Sequence, residues 1–171
     1  YFTPLEEGWE LYIKAQKNKY FGDAGNVSTF GLTESQHFEK DFFLSPIPQG
    51  DIVIPGIEYD YDKATLRPAS KKILDDLVEF LNLNNNLSVE ISSHTDARGG
   101  DAYNLRLSQD RAKSVVDYLI EKGINKDRLV AQGYGETKLL VPNASTEEEH
   151  QKNRRTAFRP IKEGVIQDKW K

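Results

Sequence analysis

The chain has 171 residues, of which 37% are hydrophobic and 11% aromatic, enough to bury the core of one ordinary domain with a smaller segment attached. A formal net charge of -4 argues against nucleic-acid binding, which needs a clustered basic surface, and no apolar run reaches the roughly 18–20 residues of a membrane span. The absence of Cys excludes disulfides, thiolate metal sites and a cysteine nucleophile. Because the chain has no Met, opens on Tyr1 and shows no signal peptide, we expect it to be an excised piece of a longer protein.

The first part of the chain reads as a small β-rich segment. Short strand-like stretches at residues 9–15, 27–30 and 38–44 are separated by Gly22, Gly25 and Gly31. Regularly spaced short strands with glycine turns are typical of a β-sandwich, and only part of one fits here. Two prolines and a glycine between residues 45 and 50 then mark a linker.

After the linker, the pattern predicts strands that alternate with helices. A first strand region covers 52–54 and 57–59, a helix begins at Pro68, and a strand follows at 87–92. A second helix over about 101–122 ends at Gly123. Its predicted buried positions are Leu105, Ala112, Val115, Val116, Leu119 and Ile120. Strands at 129–132 and 155–161, separated by a polar loop, complete a β-α-β-α-β-β order, which predicts an α+β two-layer sandwich with two helices on a mixed sheet.

One segment carries the strongest functional signal. Asp96 follows the strand at 87–92, in a loop relaxed by Gly99 and Gly100, and the next helix carries Asn104 and Arg111 on one face, seven residues apart. Taken alone, the position of Asp96 is typical of a turn aspartate, and that of Arg111 is typical of a solvated arginine. Together they place an acid and a base on opposite sides of one cleft, because that helix face is offset from the predicted buried stripe. An ammonium and a carboxylate on one carbon would fit such a pair without catalysis.

Enzymatic readings of the sequence are weak. His94, His150 and Asp96 have no recognised metal-ligand spacing, and consecutive Ser93, His94 and Asp96 cannot form a catalytic triad, whose members converge from separate positions. The Gly-Tyr-Gly-Glu stretch at 133–136 is too short for a dinucleotide loop and reads as a turn. The sequence therefore predicts a non-catalytic protein with no metal and no cofactor.

Several motifs in the second part resemble the OmpA C-terminal-like, peptidoglycan-binding domain family, which includes peptidoglycan-associated lipoproteins and flagellar stator proteins. They are Tyr-Asp-Tyr-Asp-Lys-Ala at 59–64, Leu-Arg-Pro-Ala at 66–69, Ser-His-Thr-Asp-Ala-Arg-Gly at 93–99, Tyr-Asn-Leu-Arg-Leu-Ser-Gln-Asp-Arg-Ala at 103–112, Gly-Tyr-Gly-Glu at 133–136 and Asn-Arg-Arg-Thr at 153–156. The resemblance covers nearly two thirds of the chain.

This resemblance implies non-covalent binding of the peptidoglycan stem peptide, chiefly through meso-diaminopimelate. The aspartate and arginine of the family correspond to Asp96 and Arg111. Secondary ligand contacts carry over to Asp60, Thr95, Asn104, Leu107 and Arg154. Tyr59 stands where the family usually has Phe, which changes the polarity of that wall of the site.

Residues 1–48 resemble the end of a carboxypeptidase-regulatory-like β-sandwich, so we expect three parts: that segment with its linker, a peptidoglycan-binding domain at 49–164 and a tail at 165–171. This order resembles multidomain envelope lipoproteins of Bacteroidetes, including periplasmic type IX secretion components of the PorE kind. The expected protein is periplasmic and associated with the outer membrane, and it anchors an envelope assembly to the cell wall with envelope proteins as partners. Three alternatives stay open: a peptidoglycan hydrolase, a protein–protein interaction module that has lost ligand binding, and a nucleic-acid binder.

Overall fold

The computed structural model describes residues 4–60 and 62–161, so the predicted tail at 165–171 and the last residues of the predicted domain lie outside the described residues. The chain divides into two compact units, Tyr1–Ile47 and Pro48–Lys171.

The first unit is built on one antiparallel hairpin. Strands β1 (Glu10–Ala15) and β2 (Asp23–Ser28) pair along their whole length. Thr29 is buried, and its hydroxyl donates to the Glu6 carbonyl and accepts from the Trp9 amide. The strand predicted at 38–44 is wrong, because the described residues there form no strand. The Phe43 amide donates to the Asp23 carboxylate instead of to a neighbouring strand, and its side chain is 80% exposed.

The second unit is an α+β sandwich with one four-stranded sheet. Its elements are β3 (Ile52–Val53), α1 (Pro68–Leu83), β4 (Ser88–Ser93), α2 (Asp101–Glu121), a 3₁₀ turn (Lys126–Arg128), β5 (Leu129–Gly133), α3 (Glu147–Asn153) and β6 (Thr156–Ile161). The strand order is β3-β6-β4-β5, with β4 and β5 parallel and the other pairs antiparallel. The predicted fold class is confirmed, and the structure adds the short helix α3.

Two differences at the ends of elements have local causes. Residues 57–59 do not continue the first strand; Pro55 and Gly56 form a turn, and Tyr59 makes only an isolated bridge with Leu66. Helix α3 was missed because its sequence is short and polar. It is held by a capping box in which the Thr146 hydroxyl accepts from the Glu149 amide and the Glu149 carboxylate accepts from the Thr146 amide.

The buried face of α2 differs from the predicted stripe. Leu105 and Ile120 are 49% and 40% exposed, whereas Asn104 and Ser108 are buried with Ala112, Val115 and Leu119. Small side chains are needed on this face because β5 passes very close: a Cβ atom added at Gly133 would lie 2.3 Å from the Gln109 amide nitrogen. The core contains Leu74, Leu81, Val89, Ile91, Val115, Leu119 and Ala157. No helix in the described part of the chain has the length and apolar character needed to cross a bilayer.

Candidate functional site

A cleft of about 750 Å³ opens where strand β4 ends and strand β6 begins. The described residues that line it all lie in the range 57–155, within the second unit. The structure brings all seven residues predicted for ligand binding to this cleft: Asp60, Thr95, Asp96, Asn104, Leu107, Arg111 and Arg154.

Arg111 supplies a positive charge that has no acid partner. Its Nε donates to the Lys63 carbonyl at 3.0 Å, and its guanidinium stacks over the Tyr59 ring at 4.7 Å from the centroid. Among the described residues, no carboxylate lies within ion-pair distance of it (the ion pairs of this unit all involve other cations). Burial lowers the pKa of Arg111, as expected for a cation that has lost water. The two terminal nitrogens are thus available to a ligand carboxylate.

Asp96 is 5% exposed and its two oxygens are used unequally. Oδ2 accepts from Nε and Nη2 of Arg98, at 3.1 and 2.7 Å, and from Nη1 of Arg154. Oδ1 accepts only the Arg98 backbone amide, at 3.1 Å, among the described residues. A carboxylate has about four lone-pair sites, so Oδ1 retains the capacity to accept a further donor.

Two residues that the sequence reasoning missed, Arg98 and Glu147, complete this side of the cleft. Arg98 and Arg154 each bind both Asp96 and Glu147, with Arg98 Nη1 at 3.0 Å from Glu147 Oε2. We call these four side chains the charge square. It joins the loop after β4 to helix α3. Only the position of Arg98, two residues after Asp96, gave any signal in the sequence.

Asn104 holds the loop of Asp96 in place. Its side-chain nitrogen donates to Glu136 Oε2 at 2.6 Å and to the carbonyls of Arg98 and Asp96 at 3.2 and 3.4 Å. It is 2% exposed and belongs to the buried face of α2, not to the offset face that the spacing had predicted. Its three bonds make Asn104 a positioning residue for Asp96, and Glu136 is its unpredicted partner.

Thr95 and Leu107 offer different surfaces to the cleft. The Thr95 amide donates to the Gly135 carbonyl at 3.0 Å, while its buried Oγ1 has no partner among the described residues. Leu107 is half-buried and adds an apolar patch. Leu107 therefore gives the cleft an aliphatic surface beside its charged groups, whereas the Thr95 hydroxyl is buried.

The opposite wall is formed by the segment before α1. The Asp60 carboxylate accepts from Arg67 Nε at 2.9 Å and lies 3.8 Å from the Lys63 ammonium. The Tyr59 hydroxyl lies 3.2 Å from Thr156 Oγ1, and burial raises the pKa of this phenol. Tyr59 is therefore a neutral platform under Arg111. Its hydroxyl, which Phe would lack, connects this wall to β6.

The arrangement suits recognition of charge better than chemistry. Within the described residues, no group of three or more His, Asp or Glu side chains is placed to hold a metal ion. His94, the histidine next to the cleft loop, is buried and stacks on Tyr134 at 5.3 Å; burial lowers its pKa to about 4. At neutral pH the cleft offers Arg111, a cation with no ion pair among the described residues, and Asp96 Oδ1, a carboxylate oxygen with spare acceptor capacity.

The model of the OmpA family matches residues 58–154, more than half of the chain. Outer membrane protein A of Shigella flexneri is 46% identical over 158 residues, which are 82% of this chain and 43% of that protein. The chain spans less than half the length of the curated relatives it matches.

Solved structures share the fold. The peptidoglycan-associated lipoprotein from Burkholderia pseudomallei aligns with a TM-score of 0.57 and 25% identity, over 61% of this chain and 88% of that one. The cell wall anchor of the T6SS from Pseudomonas aeruginosa aligns with a TM-score of 0.52 and 26% identity, over 63% and 76% of the two chains.

Proposed function

The chain belongs to the OmpA family, and we propose that it binds the peptidoglycan stem peptide through meso-diaminopimelate. By this contact it anchors an outer-membrane or periplasmic assembly to the cell wall, without catalysis. Membership of the family supports peptidoglycan as the ligand. The charges of the cleft support diaminopimelate as the group that is recognised.

The observation that carries this proposal is the unpaired guanidinium of Arg111. A half-buried cation without an ion pair is costly, since it has lost water, and no carboxylate among the described residues lies within ion-pair distance of it. A ligand carboxylate would restore the missing bonds in a planar, two-pronged contact. Such a contact adds binding energy that a solvated surface arginine could not provide.

The ammonium of the same ligand group would bind Asp96. Oδ1 has spare acceptor capacity, and Asp96 lines the cleft. The side chain of diaminopimelate ends in an ammonium and a carboxylate on one carbon, whereas lysine at that position ends in an ammonium alone. With lysine, Arg111 would stay unpaired. We therefore expect a preference for diaminopimelate-type walls.

The expected location follows from the names of the relatives. They include an outer membrane protein, a peptidoglycan-associated lipoprotein and a cell wall anchor of a secretion system. We place this protein in the periplasm, associated with the outer membrane. A lipid anchor and membership of a type IX secretion assembly remain predictions, which purification of the native complex would test. The alternative of a protein–protein interaction module predicts that the protein does not sediment with purified sacculi.

Arg111→Ala should reduce sacculus binding at least tenfold while the fold survives. Loss of a charged hydrogen-bonded contact costs about 1.5–3 kcal/mol, and about 1.4 kcal/mol corresponds to tenfold. The measurement is co-sedimentation with purified sacculi, with calorimetry on a diaminopimelate-containing stem peptide. Arg106→Ala is the matched control, because Arg106 is an exposed arginine on the same helix outside the cleft. Wild-type affinity in Arg111→Ala would refute the proposal.

A further inference from the structure

The charge square contains Arg98, which lies in the motif at 93–99 but takes no part in the proposed ligand contacts. We infer that Arg98 is a specificity-determining residue of the cleft: it disfavours side chains that end in an ammonium without a carboxylate on the same carbon. This inference rests on the proposed function and adds to it a residue that discriminates between stem peptides.

The geometry places Arg98 at the open rim of the cleft. Its side chain is 53% exposed, compared with 25% for Arg154, while the Asp96 side chain beneath it is 7% exposed. Nε and Nη2 cover Asp96 Oδ2, and Nη1 reaches across to Glu147 on α3. An approaching ligand therefore meets the Arg98 guanidinium before it reaches Asp96.

The charges of the cleft then determine which ligands are attracted to it and which are repelled. Asp96 and Glu147 are balanced by Arg98 and Arg154, so the charge square carries no net charge. Arg111 adds a positive charge that has no ion pair among the described residues. A lone ammonium at this position is attracted to Asp96 and Glu147 but repelled by the guanidinium groups of Arg98, Arg111 and Arg154. A ligand that also carries a carboxylate offsets this repulsion, because its negative charge lies among the same three cations.

Removal of the Arg98 charge should thus affect the two kinds of ligand differently. A lysine-type peptide loses a repulsive neighbour and gains access to Asp96 Oδ2. A diaminopimelate-type peptide loses repulsion at its ammonium and attraction at its carboxylate, and these changes largely cancel. Because Arg98 is more than half exposed, solvent screens the effect, and we expect the affinity ratio between the two peptides to fall about threefold.

The test is calorimetry on the full chain with two synthetic stem tripeptides that differ only in the third residue, meso-diaminopimelate or L-lysine. Arg98→Ala should lower the ratio of their affinities, chiefly by tighter binding of the lysine peptide. Arg98→Lys keeps the charge and should restore most of the ratio, a readout that a purely structural role would not move. Arg106→Ala should leave both affinities as in the wild type.

The outcomes separate this inference from the proposed function. If wild type binds the diaminopimelate peptide and Arg98→Ala weakens both peptides equally, or changes neither, Arg98 does not set specificity and the inference is wrong. If wild type binds neither peptide nor sacculi, the proposed function fails and the inference fails with it. If thermal unfolding shows that Arg98→Ala is unfolded, Arg98→Gln, which keeps a hydrogen-bonding side chain without the charge, must show the same fall in the ratio.

Discussion

The arginines beside Asp96 favour its charged form. Burial alone would raise the pKa of this carboxyl, but hydrogen bonds from Arg98 and Arg154 outweigh burial and hold the pKa below its usual value. A carboxyl whose pKa is lower in the folded than in the unfolded state stabilises the protein above the unfolded pKa. That stabilisation is lost as the pH falls through the folded pKa. Asp96 is therefore ionised at neutral pH and ready to receive a cation.

We expect Asp96→Asn to weaken binding of the diaminopimelate peptide nearly as much as Asp96→Ala does. The amide keeps the size of the side chain but removes the charge that attracts the ammonium, and it leaves Arg98 and Arg154 with one acid instead of two. Calorimetry at matched salt measures the loss, and circular dichroism checks the fold. Binding of Asp96→Asn equal to wild type would mean that the cleft recognises shape and not charge.

Among single residues, those of the site could be predicted where the elements that carry them lie next to each other in the chain. Asp96 and Arg111 were predicted to share a cleft because a strand, a glycine loop and a helix lie consecutively in the chain, and the structure brings both residues to one cleft. Arg98 was not singled out, although it lies two residues away. Its importance comes from Glu147, which reaches it only after α3 has folded back, and local spacing does not encode such a contact.

Among the elements, the contact between α2 and β5 sets the position of the cleft. Gly133 lets β5 approach Gln109. Just after β5, the Gly135 amide donates to Ser108 Oγ at 2.8 Å, and the Gly135 carbonyl accepts from the Thr95 amide. A side chain at Gly133 would force these elements apart. The tight packing therefore positions the loop that leads to Asp96 as well as the core.

Gly133→Ala should accordingly destabilise the protein by about 1–3 kcal/mol, the usual cost of overpacking a tight contact. The added Cβ would meet backbone atoms of Gln109, which cannot move aside as a flexible side chain would. Urea unfolding measures the free-energy difference. Gly50→Ala is the control, because a Cβ at Gly50 has no neighbour within 4 Å and should leave the unfolding midpoint unchanged. Equal midpoints for the two variants would contradict this account.

Two elements show what hydrophobic periodicity does and does not encode. The hydrophobic period predicts helix α2 correctly but predicts the wrong buried face. The pattern favours burial of Leu105 over the polar Asn104 and Ser108, which are the buried residues. The polar pair is buried because hydrogen bonds satisfy it. Helix α3 carries no apolar stripe, and only the Thr146 to Glu149 spacing of a capping box could have revealed it.

For the whole molecule, the position of the cleft makes a prediction about the first unit. Among the residues that the structure describes, every one that lines the cleft belongs to the second unit. A chain that starts at Pro48 should therefore bind the diaminopimelate peptide with an affinity within about twofold of the full chain, less than 0.5 kcal/mol. Calorimetry on both forms decides it, with Arg111→Ala in the shorter form as the negative control. Markedly weaker binding by the folded shorter form would show that residues 1–47 contribute to the site.

The fold of the second unit could be predicted from the sequence for a physical reason. Alternating strands and helices of ordinary length predicted the second unit, since a parallel β4–β5 pair needs a crossover such as α2. The first unit offered no such constraint. Strands β1 and β2 have no buried face, so the hydrophobic pattern cannot decide whether residues 38–44 form a third strand. In the structure, residues 38–44 do not pair as a strand.

The antiparallel pairing of β3 with β6 also determines how the second unit would carry a mechanical load. Thr156 begins β6 beside the cleft, and Ile52 pairs with Phe158, so the chain that leads into β3 enters the sheet from the end away from the cleft. A pull between a wall-bound cleft and that segment would run along the strands, across hydrogen bonds that lie perpendicular to it. Neighbouring bonds would then be strained together instead of being opened one after another.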